Sequence, residues 1–197
     1  MAYDATLWEQ RQKDFNTTTS NAEWEWKHRQ QILQWIMDMN PSSLLDAGCL
    51  RGHYLGALRS KGWHGNYMGV DVTPSFLADA RDEFPNDQWV QASVYDLADH
   101  LTEVVLCSEL LQHLPDPQKA VERCCAAATE AVIISVQGTR GDTEQWDDHG
   151  FIDRAFSRDD ALGLCPDGQI IDIWKESEHP RKPDRVYYQL LIKTRPG

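Results

Sequence analysis

Basic residues are scarce in this chain. There are 19 lysines and arginines against 31 aspartates and glutamates, a formal net charge of −12. A field of that sign repels phosphate backbones, so nucleic acid is set aside as the main partner. No apolar run reaches the roughly 18 residues a membrane-spanning helix requires, so no membrane partner is expected. The N-terminus has neither the basic nor the apolar region of a secretory signal. Cys49, Cys107, Cys124, Cys125 and Cys165 include no C-x-x-C pair and no His/Cys cluster at zinc-ligand spacing. An odd number of cysteines fits free thiols in a reducing compartment, most acting as small core residues. A cytoplasmic protein is expected.

What remains is a chain of 197 residues, 41% hydrophobic, enough for one domain with a sizeable core. Residues 1–20 are polar and end in Asn16-Thr17-Thr18-Thr19-Ser20; they read as an N-terminal segment available as a lid, with 21–197 as the domain itself. Trp24, His28, Ile32, Trp35, Ile36 and Met39 recur at three- and four-residue spacing, so a helix is expected over 21–39, stopped by Asn40-Pro41.

From Ser43 the pattern alternates. Strands are expected at 43–47, 66–71, 88–92, 103–107, 131–136, 168–174 and 185–194. Helices are expected at about 53–60, 74–83 and 117–128, with a further one opening at the cap Ser157. Five strand–helix alternations mean an α/β fold: a seven-stranded, mostly parallel, doubly wound sheet with helices on both faces. The last connection is too short for a crossover helix, so the last strand is antiparallel.

The stretch Leu44-Leu45-Asp46-Ala47-Gly48-Cys49-Leu50-Arg51-Gly52 reads as a buried strand, a glycine turn and a helix start. Such a junction turns backbone N–H groups toward a ligand, and glycine lets that ligand approach. Asp46 stands at the strand end, and Asp71 ends the next strand, well placed for a ribose diol. Together these residues resemble the S-adenosylmethionine (SAM) site of the class I methyltransferases, whose first motif runs acid-x-Gly-x-Gly-x-Gly; here Leu50 replaces the middle glycine.

The resemblance implies SAM as cofactor, with S-adenosylhomocysteine as product, and it implies roles for particular residues. Asp46, Gly48 and Cys49 would form the turn around the cofactor, and Asp71 would accept from the ribose hydroxyls. Val72 would pack on the adenine, with Ser93 and Val94 at its edge; many relatives have an acid at the Ser93 position. The Cys107 carbonyl would face the methionyl ammonium. Arg29 would pair with the methionyl carboxylate, with His28 an equal rival for that place.

A second segment, Leu106-Cys107-Ser108-Glu109-Leu110-Leu111-Gln112-His113-Leu114-Pro115-Asp116-Pro117, resembles the post-strand-four segment of small-molecule methyltransferases. Glu109 and His113 are four residues apart, one helical turn, and would share a face toward the pocket. A histidine near neutrality can take a proton from an acceptor hydroxyl or amine; a packed residue shaping the cofactor wall is the competing reading of His113. The segment is unlike the (Asp/Asn)-Pro-Pro-(Tyr/Phe) of enzymes that methylate nucleic-acid bases. A third segment, Gln145 to Ser157, reads as a loop over the acceptor side, with His149 as a further catalytic candidate beside Trp146 and Phe151. Asp147-Asp148-His149 are consecutive, and consecutive loop residues rarely converge on one ion, so no metal is expected.

The function expected is methyl transfer to a small-molecule O or N acceptor. A non-catalytic SAM-binding protein or partner subunit on the same fold is the alternative. A dinucleotide oxidoreductase fits less well, because its G-x-G-x-x-G needs different glycine spacing.

Overall fold

The computed structural model describes residues 26–99, 101–148, 151–166 and 169–194. The expected lid over 1–20 and the opening turn of the first helix lie outside the described residues. Helix α1 (Lys27–Met39) ends at Asn40, which takes the left-handed φ of 44° and donates its N–H to the Ile36 carbonyl. Then come β1 (Ser43–Ala47), α2 (His53–Ser60), β2 (Asn66–Asp71), α3 (Pro74–Glu83), β3 (Gln88–Gln91) and β4 (Thr102–Ser108). The chain continues through α4 (Pro117–Ala127), β5 (Ala128–Thr139), β6 (Glu144–Asp148), β7 (Phe151–Ala155), α5 (Arg158–Gly163), β8 (Ile170–Glu178) and β9 (Arg185–Lys193). Two caps match their sequence signals: Asp116 accepts from Lys119 N–H, and Ser157 Oγ from Asp160 N–H.

Seven strands form one sheet in the order β3-β2-β1-β4-β5-β9-β8. The β1–β2, β2–β3, β1–β4 and β4–β5 pairs are parallel; β9 runs antiparallel to both of its neighbours. The sequence pattern showed the fold class and the antiparallel last strand correctly. Alternate side chains of each central strand enter opposite cores, as the period of two requires. Leu44, Val104, Leu106 and Ile133 pack with α1, α2 and α3, whereas Leu45, Val105, Cys107 and Ile134 pack with α4 and α5. Truncating one of these, for example Leu45→Ala, removes about 2–5 kcal/mol of stability.

One expectation is corrected. Residues 144–155 are not a loop: β6 and β7 pair as an antiparallel hairpin with Gln145 opposite Arg154 and Trp146 opposite Asp153. The sequence of β6 is Glu-Gln-Trp-Asp-Asp, with no β-branched residue, so it carries no strand signal of its own and is held by its partner. Phe156 then bridges in parallel to Gly138 at the end of β5, which seats the hairpin over the carboxyl edge of the sheet.

Strand order reverses between β1 and β4. In an open α/β sheet that reversal leaves a crevice beyond the carboxyl ends of the two strands, where ligands bind.

Candidate cofactor and methyl-transfer site

One wall of the crevice is the turn after β1. The Gly48 and Cys49 N–H groups donate to the Val70 carbonyl at 2.8 and 3.1 Å, which folds the chain back beside β2. The turn then takes left-handed φ at every second residue: 78° at Gly48, 50° at Leu50 and 78° at Gly52. These are the three glycine positions of the acid-x-Gly-x-Gly-x-Gly pattern. Leu50 therefore adopts the glycine conformation without being glycine, at about 1–2 kcal/mol of strain.

Two acids lie under this wall. Asp46 is buried, receives the Tyr67 hydroxyl hydrogen at 2.7 Å, and is pushed up to about 7, first by burial and then by nearby Asp71. Asp71 accepts Leu50 N–H at 3.0 Å on Oδ2 and Thr73 N–H at 2.9 Å on Oδ1. Burial raises its carboxyl above the ordinary range despite those donors. The Cys49 thiol is raised too, mainly by burial, which makes it an unreactive packing group.

The other expected cofactor residues are distributed around the same edge. Val72 is half-buried at the end of β2 and Ser93 half-buried after β3, where the Ser93 hydroxyl accepts from Tyr95 N–H. Val94 instead packs mostly into the α4-side core. The Cys107 side chain is buried in that core against Cys124, so only its backbone is available to a ligand.

The opposite wall follows β4. Glu109 has φ 55°, and its N–H donates to the Ser135 carbonyl at 2.8 Å. A 3₁₀ turn over Leu111–His113 comes next. The regular helical turn expected over 109–113 is therefore absent, and Glu109 and His113 diverge. Glu109 Oε2 receives Arg29 Nη2–H at 3.0 Å, with His28 Nε2 at 3.4 Å, and Oε1 receives the Tyr187 hydroxyl at 3.1 Å. Burial alone would raise Glu109, but its bonds to His28 and Arg29 hold it well below the ordinary carboxylate range. His113 turns to the hairpin: its Nδ1 lies 3.1 Å from the Ile152 carbonyl, an acceptor, so Nδ1 carries the hydrogen.

Leu110 joins the two walls. A Cβ placed on Gly48 would meet Leu110 Cδ1 at 3.1 Å, so the side chain lies directly on the glycine. Tyr54, from α2, shares a 2.9 Å hydrogen bond with the Ser108 hydroxyl and spans the same two walls.

Several contributing residues escape sequence reasoning. Tyr187 stacks on His28 with ring centroids 3.6 Å apart and on His179 at 5.2 Å, with Trp26 alongside. Tyr187 belongs to a strand alternation and reads as core until the fold sets it against Glu109. His28, named above as a rival of Arg29 for the methionyl carboxylate, is buried and turned to the Glu109 carboxylate. Arg154 is also unheralded: from β7 it donates to the Gln145 side chain and to the Leu114 carbonyl, tying the hairpin to the post-β4 turn. His149 lies outside the described residues. Among the described residues no group of three or more His, Cys, Asp or Glu side chains could hold a metal ion, and no helix is long and apolar enough to cross a membrane.

The fold is like that of the class I methyltransferases, and comparison with known proteins finds similarity to methyltransferases. Residues 45–130 match a family model described as a methyltransferase domain. The chain is 27% identical over 108 residues to a trans-aconitate 2-methyltransferase of Rhodopseudomonas palustris, and 33% identical over 88 residues to a ubiquinone biosynthesis O-methyltransferase of Erwinia tasmaniensis. These matches cover 54% and 41% of this chain, but only 42% and 35% of those proteins. The fold is also that of the 1,6-didemethyltoxoflavin-N1-methyltransferase of Burkholderia thailandensis, solved with 1,6-didemethyltoxoflavin and S-adenosylhomocysteine. That likeness has a TM-score of 0.75 at 16% identity, over 97% of this chain and 87% of the other.

Proposed function

We propose that this chain binds SAM and transfers its methyl group to an oxygen or nitrogen of a small-molecule acceptor in the cytosol. The observation that carries the reading is the left-handed backbone at 48, 50 and 52, bonded directly to the Asp71 carboxylate at the sheet's switch point. Glycine at 48 and 52 lets the turn pack tightly under Leu110 and Trp89 in this left-handed form. Asp71, the acid at the end of β2, holds that turn through Leu50 N–H. Names of similar proteins support a small acceptor: trans-aconitate in one, ubiquinone biosynthesis in another, 1,6-didemethyltoxoflavin in a third. The five free cysteines suit a reducing compartment.

The residues present fit the cofactor. Asp71 would accept from the ribose hydroxyls while keeping its two backbone donors, since a carboxylate offers about four acceptor positions. Val72, Ser93 and Val94 would bound the adenine, Asp46 and Cys49 would support the turn from beneath, and the Cys107 carbonyl and Arg29 would meet the methionyl end. Bound SAM supplies a methyl on a positively charged sulfur, already a good electrophile. The chain's task is then to hold acceptor, methyl and sulfur in line and to exclude water. On receiving the methyl, the acceptor would give up its proton to a base of the chain or to water. Nε2 of His113 and the imidazole of His149 are the candidates for that proton.

Calorimetric titration with S-adenosylhomocysteine, with NAD as control, tests the reading. Micromolar binding of the first and none of the second is expected, and Asp71→Ala should weaken it by about tenfold or more. A folded protein that binds neither compound overturns the proposal. Binding without turnover across a broad acceptor panel would favour a non-catalytic SAM-binding role.

A further inference from the structure

Three consecutive residues of β7 clasp the end of the 3₁₀ turn that carries His113. The Ile152 carbonyl lies 3.1 Å from His113 Nδ1, and Asp153 Oδ1 lies 3.7 Å from the same nitrogen. Arg154 Nη1–H donates to the Leu114 carbonyl, one residue beyond the histidine, at 3.2 Å. The same guanidinium forks to Gln145 Oε1 on the paired strand, at 3.1 Å from Nε and 2.6 Å from Nη2. It also lies over the Phe156 ring, 5.5 Å from the centroid. Phe156 is itself bonded to β5 twice, donating to the Gln137 carbonyl and accepting from Thr139 N–H. Arg154 therefore sits where hairpin, sheet and post-β4 turn meet. Burying a guanidinium among neutral oxygens costs free energy that an apolar fastening would not. What the arrangement gains is a carbonyl delivered to His113. Which nitrogen of a neutral imidazole carries the hydrogen is set by the hydrogen bond the ring makes, and a carbonyl can only accept.

We propose that Arg154 is a positioning residue for His113: by docking the hairpin on the post-β4 turn, it fixes the Nδ1–H tautomer and so presents the ring's lone pair at Nε2, as a base requires. This rests on the methyl-transfer reading above and adds a division of labour, with the glycine turn serving the cofactor and the hairpin preparing the base. In the proton transfer, the acceptor's O–H or N–H bond breaks and an N–H bond forms at Nε2, leaving an imidazolium. The Nδ1–H of that cation faces the Ile152 carbonyl and the Asp153 carboxylate, and both favour the charged form. Asp153 Oδ1 is held for this by Arg154 N–H at 3.0 Å.

The test reads the tautomer in the full chain carrying isotopically labelled histidine nitrogens, by long-range proton–nitrogen correlation at a pH where the ring is neutral. The signal of His113 is identified by its loss in His113→Gln. In the native chain the Nδ1–H form should exceed the other by about fivefold or more, the value of one hydrogen bond. Arg154→Leu should lower that ratio by about fivefold or more while S-adenosylhomocysteine affinity changes less than about twofold, which also reports an intact cofactor pocket. Asp153→Asn should leave the tautomer native, because the carbonyl rather than the carboxylate sets it. A native His113 with its hydrogen on Nε2 overturns the inference without any variant. So does an Arg154→Leu chain with the native ratio, or an Asp153→Asn chain that inverts it. Failure of the native chain to bind S-adenosylhomocysteine instead removes the methyl-transfer reading, whatever the tautomer.

Discussion

The backbone N–H of Leu50 donates to Asp71 Oδ2 at 3.0 Å, so the turn after β1 and the acid ending β2 form one unit. Leu50 is held at φ 50° within it. Leu50→Gly should therefore be unusually mild. Relief of about 1–2 kcal/mol of strain offsets the lost side-chain packing and the added freedom of the unfolded chain. Denaturant unfolding should place Leu50→Gly within about 1 kcal/mol of the native chain. Leu50→Val, whose branched side chain suits this conformation still less, should lose more than that.

Asp71 holds two backbone donors from opposite sides, Leu50 N–H and Thr73 N–H. Asp71→Ala leaves both without their acceptor, so a loss of about 2–4 kcal/mol is expected beside the weakened ligand binding. If chemical unfolding shows no loss, these bonds do not hold the turn.

Asp46 makes a pH prediction. Its folded-state affinity for a proton, near pH 7, lies above that of the unfolded chain, near 4. Between those values the native state binds more protons than the unfolded state. The contribution of Asp46 is therefore fully present below about pH 4 and is lost as pH rises through about 7. Asp46→Asn removes this titration, so the stability difference, native minus variant, should fall by on the order of 4 kcal/mol from pH 4 to pH 8. A flat difference would show that Asp46 is ionised in the folded chain at low pH.

Arg154 is buried without a carboxylate partner among the described residues; Gln145 and the Leu114 carbonyl receive its hydrogens. Removing it detaches the hairpin more than it damages either core. In Arg154→Leu, amide exchange across 144–155 should accelerate at least about tenfold while global stability falls by no more than about 2 kcal/mol. Uniform acceleration over the whole chain would instead make Arg154 part of the global fold.

Most of the fold was legible because periodicity is a local signal. The stripe of His28, Ile32 and Trp35, the apolar run of β5 and the caps at Asp116 and Ser157 each announce their element within a few residues. The hairpin was hidden because β6 depends on pairing with β7 rather than on its own composition. At the site, Asp46, Gly48 and Asp71 stand out because strand ends and turn residues are marked in the chain. The Glu109 cluster is not marked: Arg29 and Tyr187 are 80 and 78 residues from Glu109. No pattern in sequence foretells that a twisted backbone at 109 would send its side chain to α1 and β9 rather than along a helix toward His113.

The turn after β1 also sorts its three positions by what they forbid. At Gly48 a methyl group would press on Leu110, and at Gly52 it would collide with the Trp89 ring, so handedness and crowding both demand glycine there. At residue 50 handedness alone is demanded, and Leu50 meets it with help from Asp71. The outer two glycines are thus spatial necessities, whereas the middle one is a conformational preference that a single carboxylate can override. A motif search requiring all three would pass over chains built like this one; one weighting the outer pair and the acid at 71 would find them.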